Sequence, residues 1–423
     1  MRLKLTAAAL ALALMGTVGA MAQTTIKLLT PENNERVNAF WDGVIADYQA
    51  AHPEITVDKQ LMAGDAMMAK LPTMLSSSAA PDIFFTWGGG VMQALSETGS
   101  IKDLTDDFDA DGGAWRNAYS PAAVSAFSIN DRVWAVPYKF TMINFYYNKT
   151  LFEQAGVDGN AIATWDDLLA AIDKLKAVGI TPIALGAKDK WPVHFYWTYL
   201  ALREGGGQAF TDAKAKVGDG FLSAPFVRAG ELLQQLAAAE PFQRGFEAAG
   251  WGDSLTEFSD GRAAMILGFS DTPQGLGNSA TDAAGGISYD QIGMFAFPSV
   301  SDGTGDPAET FGGNNGWLVY KDAKPEALDF LRFATSPENQ AKYAALNSDI
   351  PVVPSAASGI TDPMLAAVAE RFAKSPFHQN FLDQDLGPDV GWGVVNQLVV
   401  DLVTNQVTPG DAAQQIQEAW NLQ

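Results

Sequence analysis

The chain has no cysteine among its 423 residues, which removes disulfides, thiolate zinc sites, iron–sulfur ligation and cysteine nucleophiles at once. Histidine is nearly absent as well. His52, His194 and His378 are the three in the sequence, and none has another four residues away, so no zinc site is expected. Positive charge is also scarce: Lys and Arg number 27 against 49 Asp and Glu, a formal charge of −22. No basic run occurs beyond the N-terminus, and a nucleic-acid partner is therefore not expected. The Gly-x-Ser-x-Gly elbow and the Gly-x-x-x-x-Gly-Lys phosphate loop are missing. Gly275-Leu276-Gly277-Asn278-Ser279-Ala280 spells a dinucleotide fingerprint in letters only, because no clear strand precedes it. Neither a cofactor nor a metal is expected.

What remains is a chain with 47% apolar, 11% aromatic and only 18% charged residues, enough to bury a large core and unlike a disordered composition. Arg2 and Lys4 precede an uncharged Ala/Leu-rich stretch that ends in Ala20-Met21-Ala22, the pattern of a cleaved signal peptide spanning residues 1–22. Maturation at Gln23 would remove both basic residues, leaving 25 against 49 and a charge of −24. No other segment approaches the roughly 20 apolar residues that span a bilayer. The expectation is a soluble, exported, periplasmic protein.

Short β-like runs then alternate with amphipathic helices. Ile26 to Leu29 reads as a strand, and Val37, Phe40, Trp41, Val44, Ile45 and Tyr48 mark one buried helical face behind it. Ile55 to Val57, a helix marked by Met67, Leu71 and Leu75, and a strand from Asp82 to Thr86 complete a βαβαβ order, which implies a mostly parallel sheet covered by helices. The pattern restarts at Val133 to Pro137 and Asn144 to Tyr147. Thr164-Trp165-Asp166-Asp167 has the spacing of a capping box. Strands at Ile183, Ala263, Ile292 and Trp317 and helices at Pro325, Val394 and Pro409 follow, with neither an internal repeat nor a composition-marked linker.

The residues with chemical information are aromatics beside turns: Trp87 before three glycines, Trp191 and His194 after Lys188-Asp189-Lys190, Trp251 after Gly250, and Trp392 between two glycines. Any one of them is accounted for by packing, yet open α/β sheets place ligands at the carboxyl ends of strands. A sugar presents apolar C–H faces and a rim of hydroxyls, so its binder needs flat rings for the faces and carboxylates, amides or Lys for the rim.

Ala80-Pro81-Asp82-Ile83-Phe84-Phe85-Thr86-Trp87, Trp134-Ala135-Val136-Pro137-Tyr138 running to Tyr147-Asn148-Lys149, Thr164-Trp165-Asp166-Asp167-Leu168, Phe311-Gly312-Gly313-Asn314-Asn315-Gly316-Trp317 and Ala327 to Glu338 occur in an order that resembles the family 1 extracellular solute-binding proteins of ABC importers, the class that includes the maltose-binding protein. That resemblance implies an α/β, two-lobed periplasmic binding protein fold (type II) with three interlobe crossings and the ligand in the cleft. The crossings would fall near Phe140 to Ile143, Met294 to Phe297 and Ser336 to Glu338. The N-lobe would be 23–141 plus 296–336 and the C-lobe 142–295 plus 337–423. The implied function is capture of a neutral sugar, with a di- or oligosaccharide favoured, followed by hinge closure and docking of a monomer on membrane permease subunits. No catalysis is implied.

The resemblance also implies site residues. Trp392 falls where sugar-binding relatives present a stacking Trp, and His194 where they place an aromatic contact. After Met265 to Gly268 many relatives carry a Trp, whereas Phe269-Ser270-Asp271 stands here, which points to Asp271 as an acceptor of sugar hydroxyls or a turn residue. Gly88 and Gly89 occupy a loop where the maltose binder uses charged side chains, so backbone N–H groups would substitute. Asn33 and Glu35 sit on the first strand-to-helix turn, where helix capping is the competing role. Trp87, Lys139, Trp251, Asn314 and Asn315 complete the set. A glycerol-phosphate or polyol binder of the same family is the near alternative, an exported glycoside hydrolase the distant one, and a sensor-feeding receptor shares the expected fold and ligand.

Overall fold

The computed structural model describes residues 23–279, 286–347 and 349–423. The signal-peptide expectation for 1–22 and the end of the fingerprint-like stretch, Ala280, lie outside those residues. Two sheets organise the chain, each with its own hydrophobic core. In the larger, strand Thr24–Thr30 pairs in parallel with Ile55–Leu61 and Ile83–Thr86, and the long strand Thr310–Val319 lies antiparallel between Ile83–Thr86 and Ala135–Met142. Ile350–Pro351 closes the far edge, and His378–Asn380 pairs with the start of Thr310–Val319. In the smaller sheet, Asn144–Asn148 runs antiparallel between Ile292–Phe295 and Ala263–Gly268, which pairs in parallel with Thr181–Ala184.

The local signals act as their chemistry dictates. All six apolar residues of the first helical face are buried in helix Glu35–Ala51, whose N-terminus is capped by Asn34 Oδ1 accepting from the Val37 N–H at 2.8 Å. Thr164 and Asp167 form a reciprocal capping box at the start of helix Trp165–Ala177.

The crossings between lobes differ in part from the expected positions. The first falls at Ile143, a single residue between strands of the two sheets, its N–H donating to the Phe311 carbonyl at 2.9 Å and its own carbonyl accepting from Tyr199 OH at 2.8 Å. The second is later than Met294 to Phe297. Residues 296–309 stay on the smaller-sheet lobe, where the Trp165 N–H donates to the Ser299 carbonyl and the buried Arg203 guanidinium donates to the carbonyls of Phe297, Asp306 and Glu309. The chain enters the larger sheet only at Thr310. The third is later still. Helix Pro337–Asn347 packs Tyr343 on Phe40 and Tyr138, and helix Pro363–Lys374 buries Leu365 and Val368 in the larger-sheet core, so the chain crosses back near 375–381. We accordingly assign 23–142, 310–319 and the helical segment through Lys374 to the N-lobe, and 144–309 with the chain from Leu382 onward to the C-lobe. Apolar periodicity states which face a helix buries but not which lobe receives it.

Arg203 fixes the second crossing. Three backbone carbonyls and the face of Tyr199, 5.1 Å from the guanidinium carbon, surround a fully buried charge. Arg203→Leu leaves the Phe297 and Glu309 carbonyls without this donor, while the Asp306 carbonyl keeps the Glu309 N–H, and is expected to lower stability by about 3 kcal/mol. Thermal denaturation checks this; an unchanged transition would mean the crossing is held by packing alone.

Candidate functional site

Where the lobes face each other they enclose a cavity of about 490 Å³. Its floor on the N-lobe comes from the turn after the first strand, from Trp87 just past strand Ile83–Thr86, and from Lys139 and Asn315, which pair within strands Ala135–Met142 and Thr310–Val319; its C-lobe wall comes from the starts of helices Trp191–Lys214 and Trp251–Ser259, the turn at Phe269 and Asp271, and the segment from Phe381 to Trp392. This is the placement that strand carboxyl ends favour.

Of the residues expected at the site, Asn33, Trp87, Lys139, His194, Trp251, Asp271, Asn315 and Trp392 line the cavity. Four do not. Glu35 is exposed in the first turn of helix Glu35–Ala51, where its charge complements the helix N-terminus. Gly88, in the left-handed region at φ 69°, packs on Asn314 and Phe127. Gly89, also left-handed, packs against the backbone of Asp385. Gly88 thus packs within its own lobe, whereas Gly89 serves close contact across the lobe boundary, where a side chain would meet backbone. Asn314 is buried beside Gly88, its Oδ1 without a hydrogen-bond partner.

The sequence reading did not select Glu32, Asp349, Asp383, Gln384, Trp191, Phe269 and Phe381 for the site, yet all line the cavity. Trp191, Trp251 and Phe269 form one aromatic wall, with ring centroids 5.3 to 5.6 Å apart. Trp87 and Trp392 meet from opposite lobes at 5.9 Å with planes 54° apart. Trp392 sits in a π-helical segment, Pro388–Val395, of the kind that often marks functional positions.

Between the aromatic groups runs a polar seam. Lys139 Nζ lies 2.7 Å from Glu32 Oε1 and 3.0 Å from Asp349 Oδ2, and Tyr343 OH donates to the same Asp349 oxygen at 2.8 Å. Burial pulls the Lys139 ammonium down, but Asp349 and Glu32 outweigh it and hold the group well above its ordinary value. Burial pushes Glu32 up, against the opposing pull of Lys139. Across the cavity, His194 donates its Nδ1–H to the Trp191 carbonyl at 2.6 Å, and burial lowers its pKa despite the nearby Asp383 carboxylate. The neutral ring therefore presents Nε2 as an acceptor, 3.7 Å from Asp383 Oδ1. Neither atom has a partner, nor do Glu32 Oε2, Asp349 Oδ1 and Gln384 Oε1. The cavity is lined by hydrogen-bond acceptors awaiting donors.

Asp271 faces this seam from the C-lobe. Burial first, then the Asp349 charge, raises its pKa from 3.8 to about 7, with Lys139 and Arg36 opposing. Because the folded value exceeds the unfolded one, the stabilising contribution is full at low pH and is lost as pH rises through about 7. Asp271→Asn is expected to raise the ligand-free thermal transition near pH 8, by about 2 to 4 kcal/mol, with the gain shrinking toward pH 4. A gain independent of pH would contradict the charge argument.

Two α/β lobes closing on an aromatic-walled, acceptor-lined cavity define a cleft-binding receptor. The chain belongs to the bacterial extracellular solute-binding protein family, whose model matches residues 32–341. It is similar to a multiple sugar-binding protein of Streptococcus mutans, 26% identical over 325 residues that cover 73% of this chain and 71% of that one. It is also 26% identical over 376 residues to the sn-glycerol-3-phosphate-binding periplasmic protein of Brucella suis, covering 82% of this chain and 79% of that one. A match to an ABC transporter extracellular-binding protein of Pyrococcus horikoshii, at 25% identity, spans only 51% of that protein. Among solved structures, one from a study of xylan utilization by Caldanaerobius polysaccharolyticus superposes with TM-score 0.84 at 26% identity, covering 93% of this chain and 99% of that one. A chitin oligosaccharide binding protein superposes with TM-score 0.83 at 22% identity, covering 95% and 98%, which bears on the fold. Among the described residues, no helix is long and apolar enough to cross a membrane, and no group of three or more His, Asp or Glu is arranged to hold a metal.

Proposed function

We propose that this protein is the periplasmic capture component of an ABC importer for a neutral saccharide, with a di- or oligosaccharide favoured, and that it delivers the sugar as a monomer to membrane permease subunits. The observation that carries the reading is the pairing of flat aromatic walls with unpartnered acceptors: pyranose faces cover the rings, and hydroxyl groups supply the missing donors. The names of the Streptococcus and chitin-oligosaccharide relatives support the same class. A glycerol-phosphate ligand, suggested by the Brucella relative, fits poorly. Its phosphate brings only acceptors, and the cleft's ammonium, Lys139, is already held by two carboxylates. Closure would turn on the three crossings as a hinge.

The reading also holds that the protein is not an enzyme. Incubation with neutral oligosaccharides and aryl glycosides is expected to give saturable binding and no product. Turnover would replace the carrier reading with the glycoside hydrolase one, in which two carboxyl groups flank the bond.

A further inference from the structure

The charge on the cavity wall is one-sided. Its lining holds four carboxyl side chains, Glu32, Asp271, Asp349 and Asp383, against one ammonium, Lys139. Three of the four share a corner: Glu32 and Asp349 bracket Lys139 on the N-lobe, and Asp271 comes toward them from the C-lobe. Lys139 in the corner and Arg36, which acts on Asp271, give two cations against three carboxyls, which still leaves one carboxyl unmatched, so a further cation there gains Coulomb energy in a poorly screened site. The hydrogen-bond count agrees. Asp349 is a side chain only 1% exposed, and its Oδ1 has no partner; Glu32 Oε2 has none either. Asp271 feels the same Asp349 charge, which after burial is the next cause that raises its pKa. A ligand hydroxyl brings one donor to these oxygens, whereas a protonated amine brings three and a charge. Aromatic faces next to the seam, Trp87 and Trp392 on one side and Trp251 and Phe269 on the other, add attraction for a cation.

We propose that the Glu32, Asp349 and Asp271 corner is a subsite for a protonated amino group, so that the cleft takes an amino sugar in preference to the matching neutral sugar and rejects acidic sugars. The proposal rests on the reading that the cleft holds a saccharide, and it names the chemical class that the corner selects.

The test is calorimetric titration of the full mature chain with matched pairs that differ only in amino groups for hydroxyls, one in glucosamine against glucose and galactosamine against galactose, two in deacetylated chitobiose against cellobiose. Glucose 6-phosphate and glucuronate serve as the acidic members, at a pH where the amines are protonated. The expected result is that the amino member binds about tenfold or more tightly in at least one pair, with no binding of the acidic sugars. Neutral members that bind as tightly as their amines in every pair would overturn the proposal while leaving the saccharide reading in place. Silence of the whole panel would overturn both. Asp271→Asn and Glu32→Gln, checked for folding by thermal denaturation, are expected to lower the amine-to-neutral affinity ratio about threefold or more; an unchanged ratio in both would remove the corner from the selection. The wild-type pairs decide the matter even where a variant fails to fold.

Discussion

Trp392→Ala is expected to weaken saccharide binding by about 100-fold, close to 2.7 kcal/mol, while leaving the thermal transition nearly in place. The asymmetry follows from where the ring sits. Trp392 is only partly buried and rests on a π-helical segment whose core anchors, Val390 and Val395, are separate from it. Its partner across the cleft is Trp87, which rises from the N-lobe and packs edge-on against Phe85. A pyranose ring that lies against this pair gains an aromatic surface from each lobe, so removing one surface costs both contact area and the reason for the lobes to close. Trp392→Phe retains a flat ring and is expected to lose roughly tenfold or less. Titration calorimetry on the two variants with the best-binding sugar separates the outcomes. Equal affinity in wild type and Trp392→Ala would place the ligand elsewhere in the cavity.

The second large effect is expected away from the ligand. Gly90 lies in the first turn of helix Gly89–Glu97 on the N-lobe and against the turn that follows Leu382–Asp385 on the C-lobe. A Cβ at Gly90 would sit 2.6 Å from the Gly387 nitrogen and 2.7 Å from the Asp385 carbonyl oxygen, both backbone atoms that cannot rotate away. Gly90→Val therefore forces the lobes apart or strains the contact by about 1 to 3 kcal/mol, equivalent to a 5- to 150-fold loss of affinity. Each lobe keeps its own core, so the ligand-free transition is expected to shift little. Gly90→Ala moves in the same direction by a smaller step. A Gly90→Val protein that binds as wild type would show that this contact is not made in the ligand-bound state.

The two positions show which parts of the molecule were legible in the sequence. Trp392, Trp87 and Trp251 are legible as a set, because several aromatics beside turns exceed what packing asks of any one, and Asp271 through the resemblance alone; the structure brings all four to one cavity. The helix Glu35–Ala51 was legible because a 3.6-residue period writes its buried face directly into the residue order. Glu32 lies in the turn after the first strand, Thr24–Thr30. Its position at the carboxyl end of the first strand was the signal that could have selected it. Asp349 and Asp383 carried no such signal, since each reaches the cleft only through the late path of the chain: Asp349 precedes the short strand Ile350–Pro351, which pairs with Ala135–Met142, and Asp383 follows the return to the C-lobe. That path depends on which lobe accepts the helices Pro337–Asn347 and Pro363–Lys374, a tertiary choice that local periodicity does not encode. The glycines failed in the opposite sense. Gly88 and Gly89 read as a surface offered to a ligand, but Gly88 packs on Asn314 and Phe127 of its own lobe, and Gly89 is the surface offered to the C-lobe at Asp385.

The most direct test of the central claim is a tryptophan-fluorescence titration with neutral mono-, di- and trisaccharides, polyols and glycerophosphates, because Trp87, Trp191, Trp251 and Trp392 all line the cleft. The account predicts a saturable change with one saccharide series, diminished in Trp392→Ala. A saturable response to glycerophosphates alone, with silence to every saccharide, would contradict it.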